Sequence, residues 1–169
     1  MKNIFFSLII LGTAVTASAQ VAIGKENVVG TSTLLDFESN FRGIILPAVS
    51  MTDVPALDEN NNGTFLFDLE TQTVQMFENE TWIPLSDEGD ASGIAVNSST
   101  EAGEGVIIGN ETTDALGVLV LEATDKAMIL PKVADPHLTV KSPYPGMICY
   151  DTTSKTLAVF DGTVWNYWK

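Results

Sequence analysis

Few side chains in this sequence are suited to catalysis. It contains one cysteine, Cys149, and one histidine, His137. Cys149 lies within the apolar stretch "MICYD", which predicts a small buried residue and not a nucleophile. The stretch around His137, "ADPHLTV", offers one aspartate but no second metal-ligand spacing. No serine lies in a GxSxG motif, so the sequence predicts a non-enzymatic protein without catalytic residues, metal or cofactor, and a hydrolase is only a remote alternative.

Residues 58–63, "DENNNG", begin like a calcium-binding loop of the D-x-N-x-N-G type. The twelfth position of such a loop would be Leu69, which is not a carboxylate, and the flanking residues are typical of strands and not of helices. We therefore interpret the segment as a polar loop that precedes a strand. Weak calcium binding near Asp58 is the alternative.

The C-terminal aromatic residues are the candidate contact site. Trp165 has a counterpart in Trp82 and is predicted to lie in the core, whereas Tyr167 and Trp168 have no aromatic counterparts. Aromatic rings near a chain end suit contact with a partner protein, and they also suit stacking on a sugar. Tyr167 and Trp168 are thus predicted to contact a partner, with carbohydrate binding as the alternative.

The first residues and the charge predict export. Residues 1–19 combine Lys2, a short apolar run and small residues at Ala17 and Ala19, a pattern typical of a cleaved signal peptide. The formal net charge is −14, which disfavours binding to nucleic acid. We expect a protein that is secreted to the extracellular or outer-membrane surface, with the periplasm as another location. The mature chain is expected to have no transmembrane segment.

The rest of the sequence repeats itself. "RGIILPAV" matches "KAMILPKV", and "GTFLFDLETQTVQMFENETW" matches "GMICYDTTSKTLAVFDGTVW" in the same order. This predicts two copies of one unit, residues 20–86 and residues 105–169, joined by a linker rich in glycine, serine and acidic residues at 87–104.

Each copy is typical of β-structure. Short apolar runs separated by polar turns predict three antiparallel strands in a meander, preceded by two more strands. Helix is limited to a turn or two near residues 54–58. Two-residue type I′ turns are predicted at Asp161-Gly162 and at Glu78-Asn79, which would place Phe160 opposite Thr163. Both faces of the resulting sheets are apolar, so each needs cover from its own copy, from the other copy or from another chain. The predicted fold is all-β, with two tandem antiparallel meanders.

The repeated order "AIG…LLDF…RGIILP…GTFLFDLETQTVQMFENETW" resembles secreted surface and tail-fibre-like modules that are abundant in bacteria of the Bacteroidota type. Those modules pair a "KGFLLPR" segment with "G.LIYNT..N.L.FYNG..W". The first copy departs from that pattern by having Glu78-Asn79 at the "NG" turn. The resemblance implies an exported, non-enzymatic β module that forms oligomers, with intertwined trimers as one form, and it carries over no catalytic residue.

Together these features predict a structural or protein-interaction module at the cell surface, acting in adhesion or envelope assembly. The expected partners are an envelope or surface protein or further copies of the chain, with a glycan under the alternative reading.

Overall fold

The computed structural model describes residues 20–39, 42–95 and 105–169, and regular structure in these ranges is nearly all β-strand. Residues 20–95 are called the first half below, and residues 105–169 the second half. The first-half strands are β1 (Val21–Ile23), β2 (Thr33–Phe37), β3 (Ile44–Ile45), β4 (Ala48–Val49), β5 (Phe65–Asp68), β6 (Thr73–Glu78) and β7 (Thr81–Pro84). The second-half strands are β8 (Val106–Ile108), β9 (Leu119–Leu121), β10 (Ala127–Ile129), β11 (Lys132–Val133), β12 (Met147–Asp151), β13 (Thr156–Phe160) and β14 (Trp165–Trp168).

Helical structure in the described ranges is short. A 3-10 turn covers Glu59–Asn61, which begins just after the segment predicted to be helical, and the four-residue helix α1 covers Pro136–Thr139, which was not predicted. Asp58 fixes the start of the 3-10 turn, because its side chain accepts a hydrogen bond from the backbone N–H of Asn60 at 2.9 Å.

Each half contributes four strands in the same order to one sheet, and the second-half sheet has β3 as a fifth strand. In the first half β4 runs parallel to β5, and β5, β6 and β7 form an antiparallel meander. In the second half β11 runs parallel to β12, and β12, β13 and β14 form an antiparallel meander. The registers correspond, since Asp68 lies opposite Thr73 and Asp151 lies opposite Thr156. The predicted all-β fold with antiparallel meanders is confirmed.

The turn between β6 and β7 lies one residue later than predicted. Glu78 pairs with Thr81, so Asn79 and Glu80 form the two-residue loop. Both have positive φ, 49° and 60°, as a type I′ turn requires. In this register Phe77 lies directly opposite Trp82 with ring centroids 5.2 Å apart. The prediction of Glu78-Asn79 is wrong because this aromatic contact outweighs the poor preference of Glu80 for a left-handed backbone.

The corresponding loop of the second half is longer than predicted. Phe160 pairs directly with Trp165 and not with Thr163, which leaves residues 161–164 as the loop. Oδ1 of Asp161 accepts hydrogen bonds from the backbone N–H groups of Thr163 and Val164, both at 2.7 Å. These bonds stabilise the four-residue loop, so the prediction of a two-residue turn at Asp161-Gly162 is wrong. The Phe160 and Trp165 rings nevertheless share one face, with centroids 5.4 Å apart.

Two strands pair with the opposite half of the chain. β3 pairs antiparallel with β12, and β10 pairs parallel with β2. Gly43, just before β3, makes the first contact possible, because a Cβ there would lie 2.5 Å from the carbonyl oxygen of Ile148. The two strands predicted to precede each meander therefore lie in different sheets.

The apolar faces of the two meanders cover each other. One core cluster combines Phe67, Val74 and Leu85 of the first half with Ile148 and Val159 of the second. A second cluster belongs to the second half alone; it contains Val133, Val140, Met147, Cys149, Ala158 and Phe160, with Trp165 packed against it. Of the three sources of cover considered from the sequence, the other half provides it for the joint cluster.

The described part of the segment after β7 makes hydrogen bonds to both halves. The backbone N–H of Asp90 donates to the carbonyl of Asp161 at 2.9 Å, and that of Gly89 donates to Gln72 at 2.9 Å. A Cβ on Gly162 would lie 2.0 Å from the carbonyl oxygen of Asp90. Residues 96–104 of the predicted linker and residues 1–19 of the predicted signal peptide lie outside the described residues.

Candidate interface surfaces

The two predicted contact residues lie on β14, the edge strand of the second-half sheet. Tyr167 and Trp168 are 40% and 44% exposed. Successive side chains on a strand point to opposite faces, so the two rings do not form one flat surface. Each is also held by a polar contact: the Tyr167 hydroxyl lies 3.1 Å from Nδ1 of His137, and the Trp168 indole N–H donates to the carbonyl of Leu85.

A shallow cleft of about 320 Å³ adjoins Tyr167. Its lining residues are Asp135, His137, Asp151, Thr153, Ser154 and Tyr167. Burial raises the pKa of the tyrosine hydroxyl, and the negative charge of Asp151 adds to this effect. Its proton therefore stays in place at neutral pH, and the hydroxyl acts as a hydrogen-bonding group between β14 and α1.

Asp151 in this cleft has a structural role. Burial acts to raise its pKa, but hydrogen bonds from the Ser154 hydroxyl and from the backbone N–H groups of Thr153 and Asp135 outweigh this and lower the pKa. The carboxylate thus remains ionised and holds the β12–β13 turn against the residue that precedes α1.

Cys149 is fully buried in the second-half core. Burial raises the pKa of its thiol to about 12, with the charge of Asp151 adding to the shift. A thiol with such a pKa is protonated at neutral pH and is a poor nucleophile. This placement agrees with the interpretation of Cys149 as a core residue.

The segment at Asp58 uses its oxygens to cap the 3-10 turn. Both carboxylate oxygens accept hydrogen bonds from Asn60, at 2.9 and 3.3 Å. Within the described ranges, no three or more histidine, cysteine, aspartate or glutamate side chains converge as metal ligands would. In those same ranges no helix has the length and apolar character needed to cross a membrane.

A second surface, on β8 and β9, was missed from the sequence. Val106, Leu116, Val118 and Leu119 are all exposed here. The signal was present in "GVLVL", residues 117–121, because a strand that is apolar at every position is typical of burial on both faces. Among the described strands β9 pairs with β8 alone, and Leu119 is exposed while the two residues after it are partly buried.

The second half of the chain is similar to a known protein family. Residues 107–169 match the family model of a phage tail like trimerisation region. Neither the curated proteins nor the solved structures that were compared contain a match to the chain. The family match supports a tail-fibre-like β module in the second half.

Proposed function

We propose that this protein is a self-associating structural module, similar in use to the trimerisation regions of phage tail proteins. The observation that carries the proposal is the family match, which spans β9 to β14 and begins within β8. The first half has a sheet of the same strand order and register, which supports the further proposal that the chain contains two copies of one such unit.

The test is the mass of the mature protein in solution. Residues 20–169 should sediment as a trimer or a larger assembly, with the assembled fraction rising with concentration. Sedimentation equilibrium and light scattering measure this directly. A monomer at every concentration would contradict the proposal.

We propose also that the module is exported and serves in adhesion or envelope assembly. The signal-like segment at residues 1–19 and the net charge of −14 support this location. Mass spectrometry of the native protein should find Gln20 as the first residue. Affinity capture from the native envelope should recover a surface protein, and recovery of intracellular proteins alone would contradict this role.

Carbohydrate binding is the second candidate, because Tyr167 and Trp168 are partly exposed. The opposite directions of their rings favour two separate contacts over one stacking surface. A glycan array should separate the candidates: binding that is lost in Trp168→Ala would favour the carbohydrate role, and the absence of binding would remove it.

A further inference from the structure

The outer edge of β9 is open, whereas the same edge of β2 is filled. The two strands hold equivalent places, since Val21 of β1 pairs with Leu35 of β2 just as Val106 of β8 pairs with Leu119 of β9, both in parallel. β2 carries β10 along its other edge. No strand of the described residues lies along the other edge of β9.

The exposure of apolar side chains follows this difference. Leu34 and Leu35 on β2 are 2% and 0% exposed, whereas the equivalent Val118 and Leu119 are 56% and 45% exposed. The residue types are alike in both places, and the more exposed pair belongs to the strand with an empty edge among the described residues. An exposed apolar patch of this kind on a soluble surface is typical of a protein contact.

The backbone of β9 also has hydrogen-bonding groups that another strand could pair with. The N–H of Val106 donates to the carbonyl of Val118, and the N–H of Glu122 donates to Ile108. Along a strand, the N–H and C=O groups of successive residues point to opposite edges. Val118 and Glu122 use theirs toward β8, so the N–H and C=O groups of Leu119 and Leu121 point to the open edge. β9 carries no charge or proline to prevent pairing there, as strands that must remain unpaired commonly do.

The structure indicates which strand fits this edge. By the repeat, the first-half counterpart of β10 is residues 43–45, which include β3. β3 pairs only with β12 among the described strands, and Ile45 at its end is 52% exposed. The residues of β3 are uncharged. This matters because each chain has a formal net charge of −14, and carboxylates facing each other across the contact would repel the two chains.

We infer that the open edge of β9 binds β3 of a second copy of this chain, in parallel and in the register that β10 uses on β2. Ala127 and Met128 lie opposite Thr33 and Leu35 in that register. The equivalent pairing places Gly43 and Ile44 of the second copy opposite Gly117 and Leu119. This inference rests on the proposed self-association and names the surfaces that carry it.

The contact joins two different surfaces, so each chain offers one donor strand and one acceptor edge. Such a head-to-tail contact forms a closed ring when the rotation between subunits allows it, and a filament otherwise. A closed trimer would occupy every β9 edge.

Disulfide trapping tests the register. Two single-cysteine variants, Ile44→Cys and Leu119→Cys, are made in a Cys149→Ala background, mixed in equal amounts and oxidised. Opposed residues of neighbouring strands are close enough for a disulfide, at roughly 5 Å between Cα atoms. A mixed covalent dimer identified by mass is the expected product. The matched control replaces Leu119→Cys with Leu138→Cys, on exposed α1, which should give little mixed dimer.

A backbone variant tests the edge by a second route. Leu119→Pro removes an N–H that faces the open edge and not β8, so it should weaken association by roughly tenfold or more. Leu119→Ala retains that N–H and should weaken association less. Far-UV circular dichroism verifies that the variants are folded. If Leu119→Pro does not fold, the disulfide experiment alone tests the inference.

The outcomes separate the two proposals. A wild-type protein that stays monomeric overturns the proposed function and this inference together. A wild-type oligomer that gives no more mixed disulfide than the Leu138→Cys control overturns this inference alone and leaves self-association standing.

Discussion

Three aspartates with almost no exposed surface hold the turns of the two meanders. Asp68 and Asp151 are the last residues of β5 and β12, and Asp161 directly follows β13. Oδ1 of each accepts a hydrogen bond from the backbone N–H two residues later, at 2.9, 2.9 and 2.7 Å. An aspartate in this arrangement replaces a backbone acceptor in the turn. Its charge is tolerated in a buried position because fixed N–H and O–H donors surround it.

Acid should destabilise the fold through Asp151. Its pKa is lowered in the folded protein and returns to the ordinary value on unfolding, so the unfolded chain binds the proton more readily. The resulting stabilisation is present above about pH 4 and is lost as the pH falls through the lowered pKa. Urea unfolding between about pH 7 and pH 2 should show this loss.

The matched variant is Asp151→Asn, which replaces one acceptor oxygen by a donor. It should be about 1–3 kcal/mol less stable at pH 7, because buried donors lose their partner. Its stability should also fall less in acid than that of the wild type. Parallel pH profiles for the two proteins would contradict this role.

Gly162 should not tolerate a side chain. Its φ is 104°, and a Cβ would lie 2.0 Å from the carbonyl oxygen of Asp90. Gly162→Ala should therefore cost about 2–4 kcal/mol through backbone strain and displacement of the 89–90 segment. Gly93→Ala in the same connecting segment is the control, since no atom lies within 4 Å of its Cβ position. Equal denaturation midpoints for the two variants would refute the assigned contact.

At the scale of elements, the paired aromatic residues decide the hairpin registers. Phe77 opposite Trp82 and Phe160 opposite Trp165 occupy equivalent positions, although the first loop has two residues and the second has four. The pairing of the strands is thus kept while the loop adapts. In the first half, Asn79 and Glu80 form the loop with a left-handed backbone conformation. In the second half, hydrogen bonds to Asp161 stabilise the longer loop.

Replacing Glu80 by glycine should stabilise the protein by about 0.5–1 kcal/mol, because glycine has no steric cost at the φ of 60° found there. The control is Glu78→Gly. Glu78 lies in β6, so its replacement should cost about 0.5–1 kcal/mol. Thermal unfolding of the two variants distinguishes the observed loop from one at Glu78-Asn79, for which the effect of Glu78→Gly would have the opposite sign.

On the scale of the whole molecule, the two halves share one core and exchange strands. Phe67 of the first half packs in one cluster with Ile148 and Val159 of the second, and β3 and β10 each pair across the halves. Separating the halves would expose these buried side chains and two strand edges. Residues 20–169 should therefore unfold in one cooperative transition.

Phe67→Ala should lower the free energy of unfolding by about 3–5 kcal/mol while keeping a single transition. The loss should be seen equally by circular dichroism and by tryptophan fluorescence, since Trp82 and Trp165 report on different halves. Val164→Ala at an exposed position is the control and should change stability by at most about 0.5 kcal/mol. Two separate unfolding transitions, of which Phe67→Ala shifts only the one that belongs to the first half, would contradict a shared core.

Local pattern was sufficient to predict the strands and the buried Cys149. It was insufficient for the loop registers, because Glu80 gives no turn signal and the capping by Asp161 depends on geometry. For the candidate site, the sequence directed attention to Tyr167 and Trp168 and missed Leu119. Whether an apolar strand such as "LVL" is covered depends on which other strand reaches it, and no local pattern contains that information.

The sequence by itself determined the all-β class and the meanders, since strand-forming residues and polar turn residues act over a few neighbouring positions. Only the tertiary structure decided that β3 and β10 pair across the halves and that Leu35 is buried while its equivalent Leu119 is exposed. It also decided that no second strand of the described residues pairs with β9. Strand pairing uses backbone groups that every residue carries, so the choice of partner is set by how the whole chain packs.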